Sequence, residues 1–287
     1  MCLVAFAINA SARWPLVIAS NRDEYFNRPT LPLTQWQTQS GQTIISGRDL
    51  RAGGTWLGTT PNGRIALLTN VRQMDAKTSP LSRGDLLMRW LENNMNAAQF
   101  MAQIDPAAYA GFNLVIGDFQ SNSWTWLSNR SFGEAGETSS ATHRPQANGW
   151  CSRQLTAGIY GLSNAALDTP WPKTVALKAA LSSTLTYQPE DANESSLDAG
   201  LWAALANNSP ADKHLLPDTG LPVAFEQALS SAFVDDPLRG YGTRCSTLLV
   251  ASTLENQSHW RLRIQEKTYA QNSEDQVTSH EMPWLRN

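Results

Sequence analysis

Two apolar runs open the chain, Cys2-Leu3-Val4-Ala5-Phe6-Ala7-Ile8 and Pro15-Leu16-Val17-Ile18-Ala19-Ser20. The tetrad Asn21-Arg22-Asp23-Glu24 follows at once. Short apolar runs parted by a polar break read as a β-hairpin, since neither is long enough for a buried helix. An antiparallel register counted back from a loop near Ala12 sets Asn9 against Pro15 and Cys2 against about Arg22. The polar tetrad therefore lands beside the cysteine. A slip of one residue exchanges Asp23 for Glu24 as the acid that faces it.

Working outward, further strand-like runs are Gly63 to Asn70, Phe112 to Phe119, Ser123 to Ser128 and Gly158 to Ser163, then Gly242 to Ser252 and His259 to Gln265. Most are rich in β-branched or aromatic residues. Helical patterns lie between them. Ser82 to Asn94 opens on Ser-Arg-Gly-Asp, read as a capping box, and sets Leu86, Leu87, Trp90 and Leu91 on one face. Ala97 to Ile104 follows. Trp171 to Leu185 is introduced by Thr169 as N-cap and Pro170 at the first helical position. Leu197 to Ala206 and Pro222 to Phe233 are further helices. Strands, then helices, then strands again favour an α+β class with antiparallel sheets over a doubly wound parallel sheet. No repeat or shift of composition marks a boundary, so residues 1–287 read as a single domain.

Composition narrows the function classes. The 287 residues are 41% hydrophobic and carry a formal charge of −3. That excludes a disordered chain and gives no basic excess for nucleic acid. Cys2, Cys151 and Cys245 are odd in number and lack metal or redox spacing, which indicates a reducing compartment. No apolar run reaches the roughly 18 residues of a spanning helix. Leu3 to Ile8 lacks the basic flank of a signal peptide. The reading is a cytoplasmic protein without stable membrane insertion.

Met1-Cys2 carries the chemistry. Removal of Met1 leaves a thiol and a free α-amine on one carbon, and an amine titrating near 8 can accept a proton at cellular pH. A thiol beside its own base is an activated nucleophile, although a cysteine opening a strand is ordinarily only packing. A carboxylate of the tetrad can hold the amine, and Arg22 favours a thiolate. Asn70 and Asn164 end strands, where an amide can donate to a developing oxyanion or simply make a turn. Arg244 opens an apolar strand as a buried cation or a carboxylate clamp.

These residues resemble the NRDE (transport and Golgi organization 2) family. The likeness rests on Met1-Cys2, Asn21-Arg22-Asp23-Glu24, Arg28-Pro29, Gly47-Arg48-Asp49, Gly53-Gly54-Thr55-Trp56-Leu57-Gly58 and Leu68-Thr69-Asn70. It continues through Gly161-Leu162-Ser163-Asn164, Leu167-Asp168-Thr169-Pro170-Trp171-Pro172-Lys173 and Tyr241-Gly-Thr-Arg244. The layout is also similar to the N-terminal-nucleophile hydrolases of the cholylglycine hydrolase and penicillin V acylase group. That resemblance implies an αββα sandwich with two antiparallel sheets face to face and helices outside. It implies Cys2 as nucleophile, Asp23 as its assistant, Asn70 and Asn164 at the oxyanion and Arg244 as the late arginine. The early arginine departs from the pattern: the hydrolases place it three residues before the aspartate, where this chain has Ser20.

The function implied is an amide (C–N) hydrolase acting on a small acylated substrate. Asn21, Arg22, Glu24 and Trp56 join the site as substrate or ligand contacts. No metal and no resident cofactor are expected. The family's association with haem trafficking leaves a second reading, a non-enzymatic carrier with haem as a carried ligand. The four histidines, His143, His214, His259 and His280, are scattered and form no haem motif. Gly53 to Gly58 lacks the Lys-Ser/Thr of a phosphate loop and reads as a tight turn bringing Trp56 to a site wall, or as a hairpin turn. Trp124 and Trp126 share one face of a strand and turn either to a sheet–sheet interior or to a flat ligand.

Overall fold

A computed structural model describes residues 2–72, 79–131, 148–186, 194–253, 259–269 and 275–285. Its strands are β1 (Cys2–Ile8), β2 (Leu16–Tyr25), β3 (Thr30–Gln37), β4 (Thr43–Asp49), β5 (Leu57–Thr59), β6 (Arg64–Asn70) and β7 (Phe112–Asp118). They continue as β8 (Ser123–Ser128), β9 (Cys151–Leu155), β10 (Gly158–Leu162), β11 (Asp235–Asp236), β12 (Tyr241–Thr253), β13 (His259–Thr268) and β14 (Gln276–Leu285). The α-helices are α1 (Gly84–Leu91), α2 (Ala97–Gln103), α3 (Pro172–Thr186), α4 (Glu194–Leu205) and α5 (Val223–Ala228). The chain divides into two compact units. One is Met1–Arg28, Ala157–Ser163 and Asp168–Arg286; the other is Pro29–Thr156 and Asn164–Leu167. No helix among the described residues is long and apolar enough to cross a membrane.

The first unit is an antiparallel sheet in the order β10-β1-β2-β12-β13-β14, with β11 on β12. One face carries Leu3, Ala5, Ala7, Val17, Ala19, Leu248 and Val250, the alternate residues that the pleat turns the same way. Leu177, Leu181 and Leu185 of α3 pack on it with Leu197, Leu201 and Leu205 of α4. Both leucine sets repeat every four residues, which lines them along one helix face. The alanines opposite leave the leucines room.

The second unit is an antiparallel meander, β3-β4-β5-β6-β7-β8-β9. Leu86, Leu87, Trp90 and Leu91 of α1 and Phe100 of α2 bury against Ala66, Leu68, Leu114, Ile116 and Leu127. Trp124 and Trp126 lie on the other face of β8 and are buried, so neither offers an open ligand platform. The α+β class with antiparallel sheets, each backed by helices, is as the sequence indicates.

Local expectations fail in three places. Arg83 caps α1 without a side-chain bond, and Asp85 instead accepts from Arg89 and Tyr109. A capping box does form at α2, between Asn96 and Gln99. Helix α3 opens at Pro172 rather than Pro170; the fixed φ suits either first position, and Trp171 is tied back to Thr169. Strands β3, β4, β5, β9, β11 and β14 escaped the apolar reading. Of these, β3, β9 and β14 are sheet edges, where one side needs no pairing partner and polar residues or Pro32 and Pro283 are tolerated; β4 and β5 lie inside their sheet.

Candidate active site

The site begins with the β1–β2 hairpin. Asn9 takes a positive φ of 46° and its N–H donates to the Pro15 carbonyl at 2.7 Å, which sets the register. Cys2 then pairs with Arg22 across the hairpin. On its other side Arg22 pairs with Cys245 of β12. Paired residues point to one face, so Cys2, Arg22 and Cys245 form a row. A register shift between Thr243 and Cys245 makes Arg244 a bulge residue. Met1 lies outside the described residues.

Asp23 takes the opposite face, the one that bears the helices. Its Oδ1 accepts from the Thr243 hydroxyl at 2.8 Å, and its carbonyl accepts from the Tyr241 hydroxyl at 3.0 Å. Burial pushes the Asp23 carboxyl up. Lys173, the amino terminus, the Thr243 hydrogen bond and Arg22 pull it down, in that order. Burial also raises the Cys2 thiol; the amino terminus and Arg22 oppose it while Asp23 and Glu24 add to it. Arg22 therefore acts in the expected direction, but desolvation outweighs it. The thiol rests neutral and needs a base to become a nucleophile.

The remaining predicted residues have firm structural employment. Asn21 is fully buried; its Nδ2 donates to the carbonyls of Leu205 and Ala232, both at 2.8 Å, and its Oδ1 accepts from Ser246. Glu24 accepts from the Tyr25 N–H and stands 3.7 Å from Arg28. Arg244 donates to the carbonyls of Tyr25 and Phe26 at 3.0 and 2.7 Å and so braces the turn after β2. In the second unit, Asn164 is buried and donates from Nδ2 to the Asn70 carbonyl at 2.8 Å. These two asparagines meet each other; Cys2, Arg22, Asp23 and Arg244 belong to the first unit. His214 and His280 sit in the first unit away from β1 and β2 in sequence, and His143 lies outside the described residues.

Lys173 is the residue that sequence reasoning passed over. It was visible only as the end of the Leu167 to Lys173 run. Its signal is a lysine in the first turn of a helix, where a cation opposes the helix dipole.

The sequence matches Transport and Golgi organisation 2 over residues 1–271. The chain belongs to that family. Similar relatives are the Transport and Golgi organization protein 2 homologs of Homo sapiens, 28% identical over 93% of this chain and 99% of the relative, and of Bos taurus, 28% over 87% and 88%. The Drosophila melanogaster Transport and Golgi organization protein 2 is 25% identical over 91% and 90%. Among solved structures, a Caenorhabditis elegans N-acylethanolamine-hydrolyzing acid amidase ortholog is similar over 87% of this chain and 92% of that one, with a TM-score of 0.48 and 12% identity. A mutant conjugated bile acid hydrolase from Clostridium perfringens covers 100% and 97%, with a TM-score of 0.41 and 10% identity.

The glycine motifs at Gly47 and at Gly53–Gly54 build the second unit. Asp49 accepts from the N–H groups of Arg51 and Ala52, and Gly53, at φ 76°, closes the turn onto the Asp49 carbonyl. A Cβ on Gly54 would come within 2.6 Å of the Gly84 backbone, and one on Gly47 within 2.4 Å of the Trp56 ring. Trp56 is thus packed over Gly47 and buried.

Proposed function

We propose that this protein is an N-terminal-cysteine amide hydrolase acting on a small acylated substrate, with Cys2 as nucleophile once Met1 is removed. The observation that carries this reading is the first-unit arrangement: a buried Cys2 thiol opposite Arg22, with the Asp23 carboxylate fixed by Thr243 within electrostatic range of the thiol. A neutral thiol requires a proton acceptor at the moment of attack, and the freed α-amine is that acceptor. The sulfur bonds to the acyl carbon as its proton passes to the amine. The resulting ammonium donates to the leaving nitrogen as the C–N bond breaks, leaving a thioester. Water, deprotonated by the same amine, then cleaves the thioester, releasing the acid and regenerating the thiol. Asp23 holds the ammonium through both steps.

Two measurements test the reading. The intact mass of protein from its own host should lack Met1. Cys2→Ala should abolish turnover in an amide-substrate screen while circular dichroism stays unchanged. Equal rates in the variant and the parent, or full retention of Met1, defeat the mechanism. No turnover in either protein, with a Soret band that shifts on haem addition and is lost in Cys2→Ala, replaces it with the non-enzymatic carrier.

A further inference from the structure

Lys173 is the second residue of α3 and is 4% exposed. A cation there meets the positive end of the helix dipole, and a buried ammonium loses hydration; both cost stability. A side chain that breaks two local rules points to a requirement elsewhere in the structure. The surroundings supply one. Helix α3 packs on β1 and β10. Gly161 of β10 permits the close approach, since a Cβ there would stand 2.6 Å from Thr174 and Lys178. Asp23, 1% exposed, continues the alternation of Val17, Ala19 and Asn21 on the same helix-bearing face. A cavity of about 320 Å³ adjoins Lys173 and is lined also by Asn207, Ser209 and Ser230. The rest of its lining is apolar, with Ala176, Leu177, Ala180 and Ala232 among it.

We propose that Lys173 is a positioning residue: from the first turn of α3 it orients the Asp23 carboxylate on the helix-bearing face of the sheet. The consequence for catalysis rests on the amide-hydrolase reading; the effect on the Asp23 carboxylate does not. The groups that act on Asp23 are Cys2 of β1, Arg22 of β2, Lys173 of α3 and the amino terminus. Thr243 of β12 bonds its carboxylate, and Tyr241 its carbonyl. Lys173 is the largest influence opposing the effect of burial. Its removal leaves burial less opposed, so Asp23 takes up its proton at higher pH.

The test follows Asp23 by carbon-13 NMR in protein labelled at the aspartate carboxyls, assigned by loss of its resonance in Asp23→Asn. In Lys173→Met the titration midpoint should move up by about one pH unit or more; in Lys173→Arg it should stay with the parent. An unmoved midpoint in Lys173→Met overturns the proposal. Should that variant fail to fold, the reciprocal measurement decides. The Lys173 ammonium, followed by NMR of labelled lysine, titrates lower in Asp23→Asn if the two are paired, and an unchanged value overturns the pairing. Amide turnover separates the two readings. Equal turnover in Cys2→Ala and the parent defeats the hydrolase and leaves the Asp23 titration standing. Where turnover is measured, the acid limb of kcat/KM moves upward in Lys173→Met and returns in Lys173→Arg.

Discussion

Asn21, Arg22 and Asp23 are consecutive and do three different things. Strand alternation turns Arg22 to the Cys2 face and its two neighbours to the helix face. Asn21 joins β2 to the end of α4, to the segment after α5 and to Ser246 of β12 through three buried hydrogen bonds. Its removal leaves two carbonyls and a hydroxyl without that partner, at about 1–3 kcal/mol per buried unsatisfied group. Asn21→Ala should therefore lower unfolding stability by roughly 2–5 kcal/mol in urea titrations, and a loss under about 0.5 kcal/mol would show that the carbonyls find other donors. The position of Cys2 against Arg22 was legible because a hairpin register follows from one loop. The use made of Asn21 was not, because Leu205 and Ala232 are 184 and 211 residues away.

At the scale of elements, close packing rather than chemistry explains much of the motif set. Gly161 lets α3 lie on β10, and Asp168 ties the same junction by accepting from the Gly161 N–H and pairing with Lys178. Gly161→Ala should force α3 outward at a cost of about 1–3 kcal/mol. The readout is the denaturation midpoint together with hydrogen exchange across 172–186. Unchanged exchange there would mean that Lys178 and Thr174 absorb the methyl without moving the helix. The longer apolar strands, such as β1, β6 and β7, and the amphipathic α1 could be read from apolar pattern. The polar edge strands β3, β9 and β14 could not, since an edge is recognised by what pairs with it rather than by its own composition, whereas the more apolar edge β10 could.

At the scale of the whole molecule, the two units differ in how far apart their partners lie. The second unit's strands pair with chain neighbours throughout β3 to β9. In the first unit, β2 pairs with β12, joining Leu16 to Ala251 and Tyr25 to Tyr241. Closing so long a loop costs more entropy before any contact rewards it. In pulsed hydrogen exchange during refolding, amides of β6, β7 and β8 should gain protection before those of β2 and β12; simultaneous protection would contradict this order. The same separation divides what could be known in advance. The sequence by itself determined the α+β class, the hairpin register that sets Cys2 against Arg22, the amphipathic face of α1 and family membership, because each rests on local periodicity or on ordered motifs. Only the tertiary structure decided that Thr243 holds Asp23, that Lys173 is buried, and that Asn21 is a clamp. Those facts depend on β12 and α3 arriving from distant parts of the chain, and on burial, which outweighs nearby charge in setting the state of Cys2 and Asp23.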